Sequence, residues 1–520
     1  MPPFSIRERL SAEDAMFLYL DTKEMPLHIA CVMVFDASIS GKEVRRLIAS
    51  KLPLLPRYSQ RVVFPPLNIG HPTWDEDPAF QLENHVFEAH LKHGTDAELQ
   101  DVTARILSEA MDRSKPLWDM TLVSGLSGGR GAMIARVHHC MADGIAGVKL
   151  LHVLLDPNPK AGVPRLKRQR PGPGSPAASI PLVDGLLTSY SEIFDRLVSI
   201  QSYALNVAEA VLAQGLGAVY QLCRMGPDLF GPFEGLPFNQ PCQGARKLVW
   251  TELPLAEVNA VREACGAKLN DIVLSLVTTA VRRYTQLHHA PVRGRTLRMM
   301  VPVNIRGRDG ISGENLGNRI SMIPVNIPLD ITDPLAQLRR MSETTAALKG
   351  GGVADFVGVA GNCLGLLPTP LQAMLAPYGS DLPFPPWNMV CTNVPGPQMP
   401  LYMLGRKLVA MYPYVPIGAR MGLNCAVQSY DGKLYFGFTG SMAAAPDADV
   451  MPGFVMKAFA DLCKRARVKR AEAAPVHRNA RRGRASSNGH VAGPGVVIAG
   501  PAGVAPATPN GTGVVPAATQ

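Results

Sequence analysis

No uninterrupted apolar stretch long enough to span a bilayer runs through this chain of 520 residues, so no transmembrane helix is expected. The opening Met-Pro-Pro-Phe-Ser-Ile-Arg-Glu-Arg puts no apolar run behind its charges, and no secretory signal is expected. The nine cysteines are scattered and lack paired spacing. They read as free buried thiols in a reducing cytoplasm rather than a disulfide framework. Histidine is scarce, at 12 residues. No CxxC, HExxH or third histidine accompanies the one notable His pair, so no metal site is expected. The basic runs lack interleaved aromatics, which argues against nucleic acid as a partner.

What the chain does have is enough apolar residue, 47%, for a sizeable core. Its length suits two domains or one large bilobed unit. The net charge of +10 is local. Lys464 to Arg484 holds nine basic residues against Glu472, a net of +8, and Arg165, Lys167, Arg168 and Arg170 add four more. The rest of the chain is near neutral. Those two segments are either solvated flexible stretches or attractors for an anionic lipid surface.

The most informative stretch is His138-His139-Cys140-Met141-Ala142-Asp143-Gly144. Gly131 to Val137 before it reads as a short buried strand, and Gly144 to Leu155 after it as a helix. The pair therefore falls at a strand end, where a neutral imidazole can take a proton from a bound alcohol or amine. Asp143 can fix the local geometry through a salt bridge, and Gly144 permits close backbone approach. The bland reading is a buried His pair with satisfied hydrogen bonds. Cys140 beside a histidine invites a nucleophile reading, but a sequence neighbour on an extended strand points to the opposite face.

The pair with its spaced Asp-Gly resembles the His-His-x3-Asp-Gly signature of the CoA-dependent acyltransferases related to chloramphenicol acetyltransferase. Further landmarks resemble the bacterial wax ester synthase/diacylglycerol acyltransferase family. These are Leu10-Ser-Ala-Glu-Asp14 with Phe17-Leu18, Pro116-Leu117-Trp118, Asn270-Asp271, Val301-Pro-Val-Asn-Ile-Arg306 and Asn393-Val-Pro-Gly-Pro397. They run in order from about residue 8 to about 465. Asp355-Phe-Val-Gly358 lacks the tryptophan that closes the corresponding motif of plant alcohol acyltransferases. A condensation-type enzyme is also compatible with the signature, as is a non-catalytic lipid-surface or scaffold protein that keeps the fold.

The resemblance implies transfer of a long-chain acyl group from acyl-CoA to diacylglycerol or a fatty alcohol, with acyl-CoA as co-substrate and no cofactor. It implies His139 as general base, His138 in support, Asp143 in a structural salt bridge and Gly144 in the motif turn. Arg61 is the first choice as partner for Asp143, with Arg57 and Arg306 in reserve. Asn270, Asp271, Trp118 and Asn393 are candidates at the substrate, and Asn270 with backbone N–H groups after the motif can serve the oxyanion. Asn270-Asp271 can equally be a helix start, Pro116-Leu117-Trp118 a packing corner, and Asn393 to Pro397 a rigid turn. Such apolar substrates imply a cytoplasmic enzyme held peripherally on the inner membrane or on lipid droplets.

Strands are expected at His28 to Phe35 and Lys247 to Leu253, helices at Leu255 to Cys265 and Asn270 to Tyr284, and a hairpin turn at Tyr430-Asp-Gly-Lys433. This strand-helix alternation in two separated blocks predicts an α/β fold. With the resemblance it becomes two acetyltransferase-like lobes, a pseudo-dimer with the active site on a channel between them. The expected divisions are a first lobe over 1–160 and a linker with connecting helices over 161–245. A second lobe over 246–468 and a disordered tail over 469–520 complete them. The stretch Phe356 to Pro377 reads as buried helices or as an apolar patch meeting lipid.

Overall fold

In the computed structural model of the protein, the described residues are 8–141, 153–160, 234–304, 320–350, 369–379 and 387–470. The expected helix after the motif (apart from residues 153–155), the connecting helices over 180–230, most of the Pro/Gly linker, the tail from 471, Arg306 and residues 356–368 lie outside them.

The first block carries β1 (Glu8–Arg9), α1 (Ala12–Leu20), β2 (His28–Phe35) and α2 (Gly41–Lys51). Next come β3 (Gln60–Val63), β4 (Thr73–Glu76), β5 (Val86–His90), α3 (Asp96–Ser108), β6 (Trp118–Ser124) and β7 (Gly131–His138). Local chemistry accounts for the helix starts. Ser11 caps α1 by accepting the Asp14 N–H, and Thr95 caps α3 by accepting the Glu98 N–H. The run His-Ile-Ala-Cys-Val-Met-Val-Phe makes β2 a central strand, rich in β-branched and apolar side chains.

The second block carries β8 (Arg246–Pro254), α4 (Leu255–Cys265), α5 (Leu269–Leu287), β9 (Thr296–Asn304) and β10 (Ile320–Pro328). It continues through α6 (Pro334–Gly350), α7 (Thr369–Gly379), β11 (Met389–Val394), β12 (Tyr402–Met403) and β13 (Arg406–Tyr414). It ends with β14 (Leu423–Tyr430), β15 (Lys433–Ser441) and α8 (Met451–Arg465). The expected hairpin at Tyr430 to Lys433 joins β14 to β15. Asp431 and Gly432 both sit at positive φ, 42° and 76°, as a two-residue turn of this hand requires.

Two six-stranded mixed sheets result, ordered β12-β13-β2-β7-β6-β5 and β10-β9-β11-β14-β15-β8, beside a small sheet β1-β4-β3. The α/β expectation therefore holds, and each large sheet anchors its own core. One boundary does not follow the sequence. Residues 402–414, placed by sequence in the second lobe, hydrogen-bond into the first-lobe sheet, β13 running antiparallel to β2 with Tyr414 opposite Ala30. The blocks are further stitched where Leu248, Tyr430 and Tyr435 of the second block join the first core. Gly437 of β15 permits this seam, because a Cβ there would strike the Pro413 carbonyl. Among the described residues no single helix is long and apolar enough to cross a membrane; α4 and α5 pass such a test only as a pair bent by 102°.

Candidate active site

β7 delivers the His pair, and its neighbours hold its end in place. The His138 N–H donates to the Leu117 carbonyl at 2.9 Å, and the His139 N–H to the Leu27 carbonyl at 3.0 Å. The chain then turns: the Met141 N–H donates to the His138 carbonyl at 2.9 Å. Cys140 thus lies in a turn, not on the extended strand that the alternation argument assumed.

The two imidazoles have different surroundings. His138 is 1% exposed. Its Nδ1 accepts the Cys140 N–H at 3.2 Å, so the ring proton belongs on Nε2. That nitrogen faces the Asp21 carboxylate at 3.7 Å. Asp21 in turn accepts from Arg113 Nη2 at 2.8 Å and from the Leu27 N–H at 2.7 Å. Burial alone would raise the Asp21 carboxyl, but His138, Arg113 and the Leu27 N–H outweigh it and bring its pKa to about 2. A fixed negative charge therefore backs His138.

His139 is only half-buried. Its ring stacks on Phe17 of α1, centroids 3.9 Å apart and planes 12° from parallel. Burial lowers its pKa to about 4, with His138 adding to the drop and its contact with its own backbone carbonyl opposing it. It is neutral at physiological pH, the state a general base requires. Burial, reinforced by Asp14 and Asp21, pushes the Cys140 thiol well above its usual range. It stays protonated, whereas a nucleophilic cysteine must be a thiolate.

Asp143 and Gly144 lie outside the described residues. Arg61 sits on β3 opposite Asp75, and its buried Nε has no hydrogen-bond partner among the described residues. Arg57 pairs with Glu8 and lies 4.4 Å over the Trp74 ring.

The structure brings together two of the substrate candidates. Asn393, at the end of β11, donates from Nδ2 to Asn270 Oδ1 at 3.3 Å. Asp271 has a different task. Its carboxylate accepts from Thr345 at 2.7 Å, from Ser342 at 3.0 Å and from the Lys268 N–H at 3.3 Å. It caps α5 and ties it to α6, so Asn270 stands on a fixed helix start. The turn after Asn393 docks on β14: Ser429 Oγ accepts the Gly396 N–H at 3.2 Å, and a Cβ on Gly396 would strike the Ser429 carbonyl. Trp118 opens β6, donates from Nε1 to the Tyr58 carbonyl at 2.7 Å and stacks on His85 at 4.6 Å. With Leu52, Leu55 and Leu154 it lines a small apolar pocket. Among the described residues no three His, Cys, Asp or Glu side chains converge as a metal site needs.

Sequence reasoning missed Asp21, Arg113 and the stacking role of Phe17. Phe17 stood within a landmark motif, but no spacing rule connects a helix near residue 20 with a strand end near 138.

The histidine pair thus ends a central strand of one of two large mixed sheets in an α/β frame. The wax ester synthase/diacylglycerol acyltransferase catalytic domain matches residues 10–273, and the WS/DGAT C-terminal domain matches 316–462. The chain belongs to this family and is an acyltransferase of lipid biosynthesis. It is 29% identical to a probable diacyglycerol O-acyltransferase, tgs1, of Mycobacterium tuberculosis, over 87% of this chain and 95% of that protein. It is 28% identical to a putative diacyglycerol O-acyltransferase of the same species, over 86% and 88%. Its fold is similar to the wax ester synthase/diacylglycerol acyltransferase from Marinobacter aquaeolei VT8, with TM-score 0.61, 24% identity, and 88% and 100% of the two chains covered. It is also similar to the first condensation domain of the calcium-dependent antibiotic synthetase, with TM-score 0.57, 14% identity, and 89% and 98% covered.

Proposed function

We propose that His139 is the general base for transfer of a long-chain acyl group from acyl-CoA to diacylglycerol or a fatty alcohol. The observation that carries this is the half-buried, neutral His139 ring, stacked on Phe17 while its backbone N–H is tied to the Leu27 carbonyl. His139 takes the hydroxyl proton as the acceptor oxygen attacks the thioester carbonyl. The tetrahedral oxyanion collapses, the C–S bond breaks, and the proton passes to the leaving CoA sulfur. No acyl-enzyme forms, and the step needs no resident cofactor. His138, backed by Asp21, supports the turn. Asn270, braced by Asn393, is a candidate donor to the oxyanion together with backbone N–H groups after the motif. Trp118 lines the apolar side, and Asp271 serves by holding Asn270. Arg61 Nε, which has no partner among the described residues, supports its pairing with Asp143.

We further propose that the enzyme works at a lipid surface on the cytoplasmic side, the inner membrane or a droplet. The net +8 of residues 464–484 and the exposed Leu54 and Leu67, 69% and 79% accessible, support it. Purified protein with labelled palmitoyl-CoA and either hexadecanol or diacylglycerol tests the chemistry. Labelled ester from at least one acceptor is expected, and ester from neither overturns it. Deleting residues from 471 onward should weaken sedimentation with anionic vesicles at low salt; equal binding by both chains removes the tail from the surface.

A further inference from the structure

A third histidine stands beside the active-site pair on the same face of the first-lobe sheet. His28 opens β2 and lies opposite His138 in the antiparallel register, a pairing that brings Cβ atoms to roughly 5 Å. It is fully buried. Among the described residues neither of its ring nitrogens has a hydrogen-bond partner. Its ring stacks on Tyr414, centroids 5.7 Å apart and planes 23° from parallel. Tyr414 ends β13, the strand that the second half of the chain lends to this sheet. The buried Tyr414 hydroxyl faces the Arg246 guanidinium, yet neither it nor Arg246 Nε has a partner at hydrogen-bond distance among the described residues. The other two guanidinium nitrogens donate to the Glu24 carbonyl at 2.6 Å and the Gly244 carbonyl at 3.3 Å. Burial first, then the charges of Arg136, His138 and Arg246, keep His28 neutral. His138 Nε2 completes the group, its Asp21 contact being too long for a hydrogen bond.

Native proteins satisfy nearly all buried donors and acceptors. Where side chains do not satisfy one another, ordered water with two to four polar partners does so. The four groups here are chemically complementary to water: a guanidinium N–H and a hydroxyl donate, and a neutral imidazole both donates and accepts. They come from both halves of the chain, His28 and His138 from the first, Arg246 and Tyr414 from the second.

We propose that His28, Tyr414 and Arg246 form a site for internal water, and that His28 is thereby a positioning residue for acyl transfer. The water ties His138, and with it the strand end presenting His139, to the strand that crosses between the lobes. No bond is made or broken at this site; it sets where the imidazoles stand. The inference rests on the assignment of His139 as base.

Steady-state kinetics and thermal unfolding of His28→Phe, His28→Gln, Tyr414→Phe and His139→Ala test it together. His28→Phe keeps the stack on Tyr414 and removes both nitrogens. Its melting temperature should stay within a few degrees of the wild type, because the apolar ring keeps the packing while only the water's hydrogen bonds to His28 are lost. Its kcat should fall on the order of 10- to 100-fold with KM nearly unchanged, the signature of a displaced catalytic group. His28→Gln, which restores a donor and an acceptor, should recover most of that kcat. Tyr414→Phe should lower kcat about threefold, the worth of one ordinary hydrogen bond. A folded His28→Phe with wild-type kcat, or His28→Gln no better than His28→Phe, overturns the proposal. If His28→Phe does not fold, wild-type kcat in Tyr414→Phe overturns it. An active His139→Ala would instead bring down the base assignment on which it rests. A crystal structure of the wild-type protein should show ordered water within hydrogen-bond distance of the His28 ring, and a dry contact there overturns the water site.

Discussion

Two motifs stand out in this chain, the His pair at the end of β7 and the Asn270-Asp271 pair at the start of α5, and their polar atoms are used differently. Asp271 is 3% exposed and commits its carboxylate to Thr345, Ser342 and the Lys268 N–H. At the His pair the backbone is tied at both residues, while the His139 ring keeps a half-buried face and a depressed pKa. The first arrangement lowers the free energy of the fold. The second leaves a titratable ring in surroundings that make it costly to charge. A carboxylate committed to three hydrogen bonds marks a brace, and a fixed backbone under a half-buried titratable ring marks a candidate for chemistry.

The largest effect that sharpens this contrast is at His139. His139→Ala should lower turnover on the order of 100- to 10,000-fold with little change in melting temperature. Retained turnover in a labelled-acyl assay breaks the contrast outright. Asp271→Ala should do the reverse. It strands buried hydroxyls and removes a helix cap, a loss of about 3 kcal/mol of stability. Denaturant unfolding should show that loss while turnover per folded molecule falls far less than in His139→Ala. A stable Asp271→Ala protein with collapsed kcat would move Asp271 into the reacting machinery.

Acid should act on the His-pair corner through two groups. His139 has a native pKa of about 4 against roughly 6.5 unfolded. The unfolded chain binds the proton more readily, so this group costs stability as pH falls from about 6.5 toward 4. Turnover should be flat at neutral pH and fall as pH drops through about 4. Asp21, about 2 when folded against 3.8, contributes stability present above 3.8 and lost as pH falls toward 2. A kcat profile with its acid limb near 6.5 would show that His139 is not held as described. Phe17→Leu should move that limb toward 6.5 by loosening the apolar cover. It should also lower kcat about three- to tenfold, the worth of one aromatic stack; an unmoved limb denies Phe17 its role. The smallest effect belongs to Cys140→Ser, where turnover should stay close to wild type. Loss of a covalently trapped acyl label in that variant would install a nucleophile where a buried, protonated thiol is described.

Much of this was legible in the chain by itself. Local periodicity marked β2, β7, β8, α4 and α5 to within a few residues, because a run of apolar side chains at period 2 or 3.6 has few other ways to bury itself. The spacing of His138, His139, Asp143 and Gly144, with the ordered landmarks around it, carried the family. Asn270 and Asn393, 123 residues apart, were both singled out by motif. Their hydrogen bond was not foreseen, because a motif says what a residue is and not what it faces.

Tertiary structure alone decided the rest. Nothing in residues 402–414 announces that β13 leaves its own block to pair with β2, since the partner of an edge strand depends on which sheet presents a free edge. Nothing in Asp21 or Phe17 announces that one backs His138 and the other covers His139, more than 100 residues away in sequence. Composition and spacing determined the elements and the chemistry available to them. Packing decided which imidazole is lowered to about 4, because desolvation and nearby charge depend on the atoms that crowd a ring and not on its neighbours along the chain.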